Sequence, residues 1–522
     1  MNLPLTPIRL LRYAREHFSS RTAIVCGNER FTYEQFAYRV SLLAGALRKM
    51  GVQKGDRVAF LSLNCHRYLE AYYAIPEVGA IFVPVNTRLV PGELAYILND
   101  ARAKVLFFEA AFLETVETFQ VNVPSLETIV VLDELAPERD WLSPQNYEQA
   151  LASATPYRAN LMDVDEDAVA EMFYTSGTTA NPKGVMLTHR NIYLHAIHYC
   201  LTLNPTRLTV HLHTIPLFHV NGWGTVHYSY LGVVHVMIPR FRPTEVFRLI
   251  EQERVTSINL VPTMAATLLA AADRTEFDLK SLERIRVGGS PPPPTMIRDI
   301  EEKLGGSCFC AYGLTEASPS LTMALVKHDS GWSGETRREK QAMTGFPLPG
   351  VEVRVIDFEG HDVPRDGSTV GEIIARSDGV MAGYWGKPEA TANAIRDGWL
   401  YTGDMAVVDK DGYLLIVDRM SDFIISGGEN VSSLELENIL LTHPAIAEAA
   451  VIPVPDEKWG EVPKALLVLK PEAFASEQEI IDFCRFRLAR FKVPRSVEFL
   501  ENLPKTGTGK VLKKDLRAKY AV

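Results

Sequence analysis

The chain has 522 residues, of which 47% are hydrophobic and 23% charged. That balance is ordinary for a globular protein and excludes a disordered tail, a collagen and a disulfide-dense miniprotein. Lys plus Arg number 54 against 64 Asp plus Glu, a net charge of −10, which argues against nucleic acid as the main partner because phosphate binding favours a basic surface.

The charge is unevenly spread. Residues 419–522 hold 15 basic and 15 acidic side chains, so the first 418 residues carry all of the −10. Within the neutral stretch, residues 485–519 hold 11 basic and 3 acidic side chains, a run that suits either a solvated face or a polyanionic ligand. The six cysteines are scattered, and the Cys308/Cys310 pair lacks the partner spacing of a zinc site. Reduced thiols, and so a cytoplasmic setting, are expected. The first residues lack the apolar core of a secretory signal, and no run of apolar residues is long enough to span a membrane.

In chain order, Thr32 and Gln35 form a capping-box pattern, and Phe36, Val40, Leu43 and Leu47 follow at helical spacing until Gly51. Val58-Ala59-Phe60-Leu61 reads as a buried strand, a helix starts near Arg67, and Ile81-Phe82-Val83-Pro84 reads as the next strand. This βαβα rhythm predicts a mostly parallel sheet covered by helices. A second such region spans about residues 172–262, with strands at 210–212, 234–238 and 256–261 and a helical stretch between the first two. The proline run 291–294 reads as a rigid turn. From about Gly345 short alternating strands, such as 351–356, indicate a small β-rich lobe. Residues 412–417 read as a strand before a boundary near Asp418 to Asp422, and a capped helix follows from Ser432 to Leu441. The expected fold class is α/β: residues 1–418 form a large domain of two βα-layered subdomains plus the β-rich lobe, and residues 419–522 form a small α+β domain.

The segment richest in chemistry is Tyr174-Thr175-Ser176-Gly177-Thr178-Thr179-Ala180-Asn181-Pro182-Lys183-Gly184, after the strand-like 170–173. Backbone amides of such a loop point at phosphate oxygens, hydroxyls add donors, and Lys183 supplies a positive charge. It is not a Walker A loop, since Lys183 is neither preceded by Gly nor followed by Ser or Thr. A plain Ser/Thr/Gly surface turn is the competing reading.

This segment closely resembles the phosphate loop of the adenylate-forming superfamily, which includes acyl-CoA synthetases, luciferase-like enzymes and peptide-synthetase adenylation domains. Further motifs follow in the family's order over nearly the whole chain. Tyr312-Gly313-Leu314-Thr315-Glu316 resembles the motif that meets adenine, the α-phosphate and magnesium. Tyr401-Thr402-Gly403-Asp404 resembles the ribose motif, Asp418-Arg419 the interdomain hinge, and Pro504 to Lys510 the catalytic-lysine motif. Gly288-Gly289-Ser290 is similar to the segment lining the adenine and acyl pockets.

The resemblance implies a two-step reaction that uses ATP, Mg2+ and CoA. A carboxylate attacks the α-phosphorus of ATP to give acyl-AMP and pyrophosphate, and a thiol then displaces AMP. It assigns Lys510 to bridge the two anions of the first step, Asp404 and Arg419 to the ribose, and Ser176, Gly177, Thr178, Thr179 and Lys183 to the phosphates. Thr175 or Thr178 with Glu316 would stand near magnesium, a cation that prefers oxygen ligands. Each assignment has a plainer rival: Lys510 as a surface lysine, Glu316 as a helix-start carboxylate, Asp404 as a turn aspartate, Arg419 as a domain-boundary ion-pair partner, and Gly288-Gly289 as a tight turn. The resemblance also implies a C-terminal domain that rotates between half-reactions, with Ser426, Gly427 and Gly428 lining the pantetheine channel. Ser421 stands where the family usually has Asp or Lys at the hinge, so the side-chain contact that tunes the pose is in question.

Pro216-Leu217-Phe218-His219-Val220-Asn221-Gly222-Trp223 lies at the acyl-pocket position. It is similar to the segment of medium- and long-chain fatty acyl-CoA synthetases, where the tryptophan gates an acyl tunnel, and also to short-acyl enzymes such as methylmercaptopropionate–CoA ligases. If helical, His219 and Trp223 share a face; the rival readings are a structural histidine and a core aromatic. The expected function is an ATP-dependent acyl-CoA synthetase for a medium- to long-chain fatty acid. The alternatives are a short-chain or aryl acid–CoA ligase, an acyl-AMP ligase loading a carrier protein, and a nucleotide-binding regulatory protein on the same fold. The family also implies a homodimer.

Overall fold

The computed structural model describes residues 3–133, 139–143, 145–175, 181–224, 226–273, 276–327, 330–420, 422–426, 429–456, 458–505 and 511–520. The chain divides into two compact units, Met1–Val353 with Ala375–Leu400, and Arg354–Ile374 with Tyr401–Val522.

In the first unit the capping box at Thr32 forms as the sequence predicts. Thr32 Oγ1 accepts from the Gln35 N–H at 3.2 Å, and Gln35 Oε1 accepts from the Thr32 N–H at 2.8 Å. The helix Tyr33–Lys49 buries Phe36, Val40, Leu43 and Leu47, each contributing about 1.5–3 kcal/mol if fully buried. The strand Arg57–Leu61 lies parallel between Ile81–Pro84 and Ala103–Phe108. Val58 to Leu61 are all buried, as expected for a parallel strand covered on both faces.

Two sheets organise this unit. The first has seven strands in the order Gly383–Tyr384, Lys183–Thr188, Val169–Thr175, Ile81–Pro84, Arg57–Leu61, Ala103–Phe108, Thr128–Val131. The second has nine, in the order Phe346–Pro347, Ser320–Met323, Ser307–Gly313, Arg284–Gly288, Ser257–Leu260, Val210–His213, Val234–Met237, Thr22–Cys26, Glu29–Thr32. The sheets therefore do not follow the two sequence regions. Val169–Thr175 joins the sheet of the earlier strands, and Thr22–Cys26 pairs with Val234–Met237. An apolar strand advertises burial but not its neighbour, and packing selects the partner. The stretch between Val210–His213 and Val234–Met237 is less helical than its pattern suggests. It holds one α-turn, Val220–Trp223, and a 3-10 segment, Val226–Leu231. The proline run places Pro294 at the first position of the helix Pro294–Lys303, where its missing N–H costs nothing.

In the second unit, residues 404–408 pair antiparallel with Leu414–Arg419, with Asp404 opposite Arg419. This strand starts later than the sequence suggests, because Asp409 and Gly412 (φ +82°) make the turn before it. A five-stranded sheet has the order Glu429–Val431, Ile424–Ser426, Gly460–Leu469, Ile446–Asp456, with Ser496–Phe499 also beside Gly460–Leu469. The capped helix spans Ser433–Leu441, with Ser432 as its N-cap. The basic run is partly neutralised: Arg485, Lys492, Lys505, Lys513 and Arg517 pair with Asp482, Glu435, Glu448, Glu437 and Asp422. Among the described residues no helix is long and apolar enough to cross a membrane.

Candidate active site

The strands Val210–His213, Ser257–Leu260, Arg284–Gly288 and Ser307–Gly313 run parallel. Their carboxyl ends, where open α/β sheets bind ligands, lead into the segments the sequence singles out. After His213 comes the stretch with His219 and Trp223, after Gly288 come Gly289 and Ser290, and after Gly313 come Thr315 and Glu316. Gly288 is the register partner of Ala311, one residue before Tyr312. Gly289 has φ +91°, a conformation that favours glycine. Gly313 is required for another reason: a Cβ there would stand 1.8 Å from the Pro319 carbonyl oxygen. That contact closes the turn carrying Thr315 and Glu316, whose ends are joined by the Leu314 N–H donating to the Pro319 carbonyl at 2.8 Å.

The phosphate-loop segment is the connection of a β-hairpin. Thr175 and Lys183 are register partners at its mouth. Ser176, Gly177, Thr178 and Thr179 lie outside the described residues. Beside the hairpin the short strand Gly383–Tyr384 pairs with Val185 and Met186. Tyr384 then joins two of the predicted site residues. Its ring lies 4.9 Å from the Lys183 ammonium, and its hydroxyl donates to Glu316 Oε1 at 2.8 Å. Burial and the Glu316 carboxylate push its phenol pKa up, so Tyr384 stays a donor. The Met381 N–H also donates to the Glu316 carbonyl at 2.9 Å. Asp100 braces the same corner: Tyr174 Oη donates to its carboxylate at 2.7 Å, Lys387 Nζ at 3.2 Å, and the Trp385 indole to its carbonyl at 3.1 Å.

Tyr384 and Asp100 escaped the sequence reading. The cluster Gly383-Tyr384-Trp385-Gly386-Lys387, two aromatics between glycines followed by a lysine, was the available signal for the first. Asp100 sits at the end of an ordinary amphipathic helix and gave none.

The acyl-pocket segment is helical at its end. The Trp223 N–H donates to the His219 carbonyl at 3.1 Å, so the two residues are one turn apart. His219 is half-buried, whereas Trp223 is 0% exposed. Its indole packs edge-on to Phe173 and His227 and stacks on His195 at 5.8 Å. Around it lies a group of buried ionisable residues. Burial lowers the pKa of His195, His211, His213, His227 and His235, to about 3 for the second, fourth and fifth. Burial raises that of Glu171, whose carboxyl forms no well-shaped hydrogen bond. These groups are therefore held neutral. Asn64, which the sequence reading did not single out, positions the segment. Its side chain donates to the His213 and Ile215 carbonyls at 3.0 Å each and accepts from the Leu217 N–H at 2.7 Å.

In the second unit Asp404 is buried and Arg419 Nε lies 3.1 Å from its carboxylate. The Asp404 N–H donates to Thr402 Oγ1 at 3.1 Å, and Gly403 (φ +70°) receives the Met420 N–H at 2.8 Å. Asp418 is held by the Arg419 and Ser433 N–H groups and the Ser433 hydroxyl. Ser426 is buried and pairs with Gly460. Lys505 and Val511 form a bridge that brings together the two flanks of the lysine motif. Lys510 itself, the hinge residue Ser421, and Gly427 and Gly428 lie outside the described residues.

Comparison with known proteins shows the family. Residues 11–385 match the family described as AMP-binding enzyme, and residues 435–510 match its C-terminal domain. A long-chain-fatty-acid–CoA ligase of Thermus thermophilus is 41% identical over 94% of this chain and 90% of its own. A peroxisomal trans-cinnamate:CoA ligase of Petunia hybrida is 36% identical over 99% of this chain and 94% of its own. An anthranilate CoA ligase in complex with anthranoyl-AMP superposes with a TM-score of 0.88 at 30% identity, covering 100% of this chain and 98% of that one. The chain thus belongs to the AMP-binding enzyme family of the adenylate-forming superfamily, and it is an ATP-dependent acid–CoA ligase.

Proposed function

We propose that this enzyme activates a medium- to long-chain fatty acid. A carboxylate oxygen bonds to the α-phosphorus of ATP as the bond to pyrophosphate breaks. The CoA sulfur then bonds to the acyl carbon as the bond to AMP breaks, and the thiol proton passes to solvent. The observation that carries the nucleotide half is the joining of Lys183 and Glu316 through Tyr384 at the carboxyl edge of the sheet. Two anions must approach there, and fixed positive charge and oriented donors lower that barrier. Thr175 and Glu316 offer oxygen donors, which fit magnesium, and the Tyr384 hydroxyl orients the Glu316 carboxylate. When bound, the ion would neutralise phosphate charge. Asp404 and Arg419 would bind the ribose, Gly289 and Tyr312 the adenine, and Lys510 would bridge carboxylate and α-phosphate. We place the hinge between the domains at residues 418–421, and Ser426, Gly427 and Gly428 beside the pantetheine arm. The scattered cysteines suit a cytoplasmic setting and the family resemblance implies a homodimer, which cell fractionation and sedimentation test.

The Thermus relative favours a fatty acid. The second reading, an aryl acid, rests on the cinnamate and anthranilate ligases and on the closed packing of Trp223. A panel of acids assayed for AMP and acyl-CoA release decides between them; turnover confined to benzoate- or cinnamate-like acids would remove the fatty-acid reading. Including a carrier protein in the panel tests the acceptor. Lys510→Ala is expected to abolish adenylation yet leave preformed acyl-AMP reactive with CoA. Equal loss of both half-reactions would contradict its role.

A further inference from the structure

At the end of the strand Thr22–Cys26, near the edge of the nine-stranded sheet, the fold brings Cys26 and Glu29 of one hairpin together with His66, some forty residues further along the chain. Cys26 ends the strand Thr22–Cys26, Glu29 opens the next strand, and His66 begins the helix His66–Glu77. Their ligand atoms lie within 4.8 Å of one another. His66 is 1% exposed, and neither of its ring nitrogens has a hydrogen-bond partner. A buried imidazole with both nitrogens unsatisfied is costly and asks for a ligand. Its Nδ1 stands 3.3 Å from Glu29 Oε2, which matches the roughly 3.3–3.4 Å edge of a tetrahedron with metal–ligand bonds of about 2.0–2.1 Å.

We propose that Cys26, Glu29 and His66 bind a zinc ion that ties the hairpin of the nine-stranded sheet to the helix His66–Glu77. Thiolate, imidazole and carboxylate together are a zinc donor set, and the fourth position would be taken by water. Burial pushes the Cys26 thiol up, with the His66 backbone N–H directed at its sulfur working against this, so the thiolate forms as the ion displaces the proton. The two nearby guanidinium groups are already matched: Arg39 pairs with Glu70 and Glu148, and Arg67 with Glu148. Glu29 is half exposed, which gives the ion a path from solvent. Three protein ligands and a water make an open site, and binding to the folded chain alone raises its stability.

The test uses the full-length chain, stripped with a chelator and titrated with Zn2+ by calorimetry and with Co2+ by absorption. One zinc per chain, a raised thermal midpoint and a thiolate-to-cobalt charge-transfer band are expected. Cys26→Ser should remove the band and weaken zinc by at least the roughly 10–100-fold seen when groups that merely orient a ligand are lost. Glu29→Gln, at an exposed position that does not threaten folding, should weaken zinc by about 10-fold or more. Acid-dependent pyrophosphate exchange should be unchanged in both variants, which separates this site from the catalytic reading. Absence of stoichiometric binding, or the same zinc affinity in the wild type and in either variant, overturns the proposal.

Discussion

Tyr384 shows how much of the site depends on a single hydroxyl. It joins Glu316 to the mouth of the phosphate-loop hairpin, and its ring faces Lys183. Tyr384→Phe keeps the ring and removes the hydroxyl. A hydrogen bond to a carboxylate contributes about 1.5–3 kcal/mol, so kcat/KM for pyrophosphate exchange should fall by roughly 10–100-fold with the thermal midpoint nearly unchanged. An unaltered exchange rate would show that Glu316 needs no such orientation. Asn64 is the corresponding residue on the acyl side. Asn64→Ala would remove the side-chain partner of the His213 and Ile215 carbonyls and of the Leu217 N–H, at a cost of about 2–4 kcal/mol. Urea unfolding should report that loss, and KM for the acid should rise while KM for ATP holds.

Turns and caps at the ends of strands and helices place these side chains. The strand Ser307–Gly313 delivers Glu316 only because Gly313 lets Pro319 approach. A methyl group there forces the turn open, so Gly313→Ala should cost about 1–3 kcal/mol. It should also depress adenylation more than the thioester step with preformed acyl-AMP; equal effects on the two would show that the turn serves stability alone. The cap at Thr32 is a control without catalytic meaning. Thr32→Ala should cost about 1 kcal/mol of stability and leave the rates unchanged. The cap and the helix Tyr33–Lys49 were readable from sequence because both are written in contiguous residues. The turn at Gly313 was readable only as a motif, since its cause is the backbone of Pro319.

For the molecule as a whole, the buried histidines make stability depend on pH. His195, His211, His213, His227 and His235 are neutral in the folded chain because burial depresses their pKa values. Unfolded, each takes up a proton near pH 6.5, about 1.4 kcal/mol per pH unit for each group. The unfolded chain therefore binds more protons from about pH 6.5 downward, and stability is full above that range and lost as pH falls through it. Glu171 acts in the opposite sense, because its folded carboxyl keeps a proton that the unfolded chain releases. Burial also raises Glu70, Glu77, Glu109, Asp418 and Glu437 and lowers His189; proton uptake by the unfolded histidines leads near pH 6.5, so the thermal midpoint should begin to drop as pH falls below about 7. A flat profile would mean that these imidazoles are charged or solvated in the native state.

Local chemistry was legible in the chain: the capped helices, the apolar strands, and the loop motifs that carry the family resemblance and propose Gly289, Tyr312, Glu316, Asp404 and Arg419 for the site. Propensity, periodicity and turn chemistry act over a few neighbouring residues, so a linear reading recovers them. The partners of each strand, the burial of Trp223, the link from Lys183 through Tyr384 to Glu316, and the meeting of Cys26 with His66 were not legible. Each joins segments tens to hundreds of residues apart, and competition among many apolar surfaces for one close-packed interior selects them.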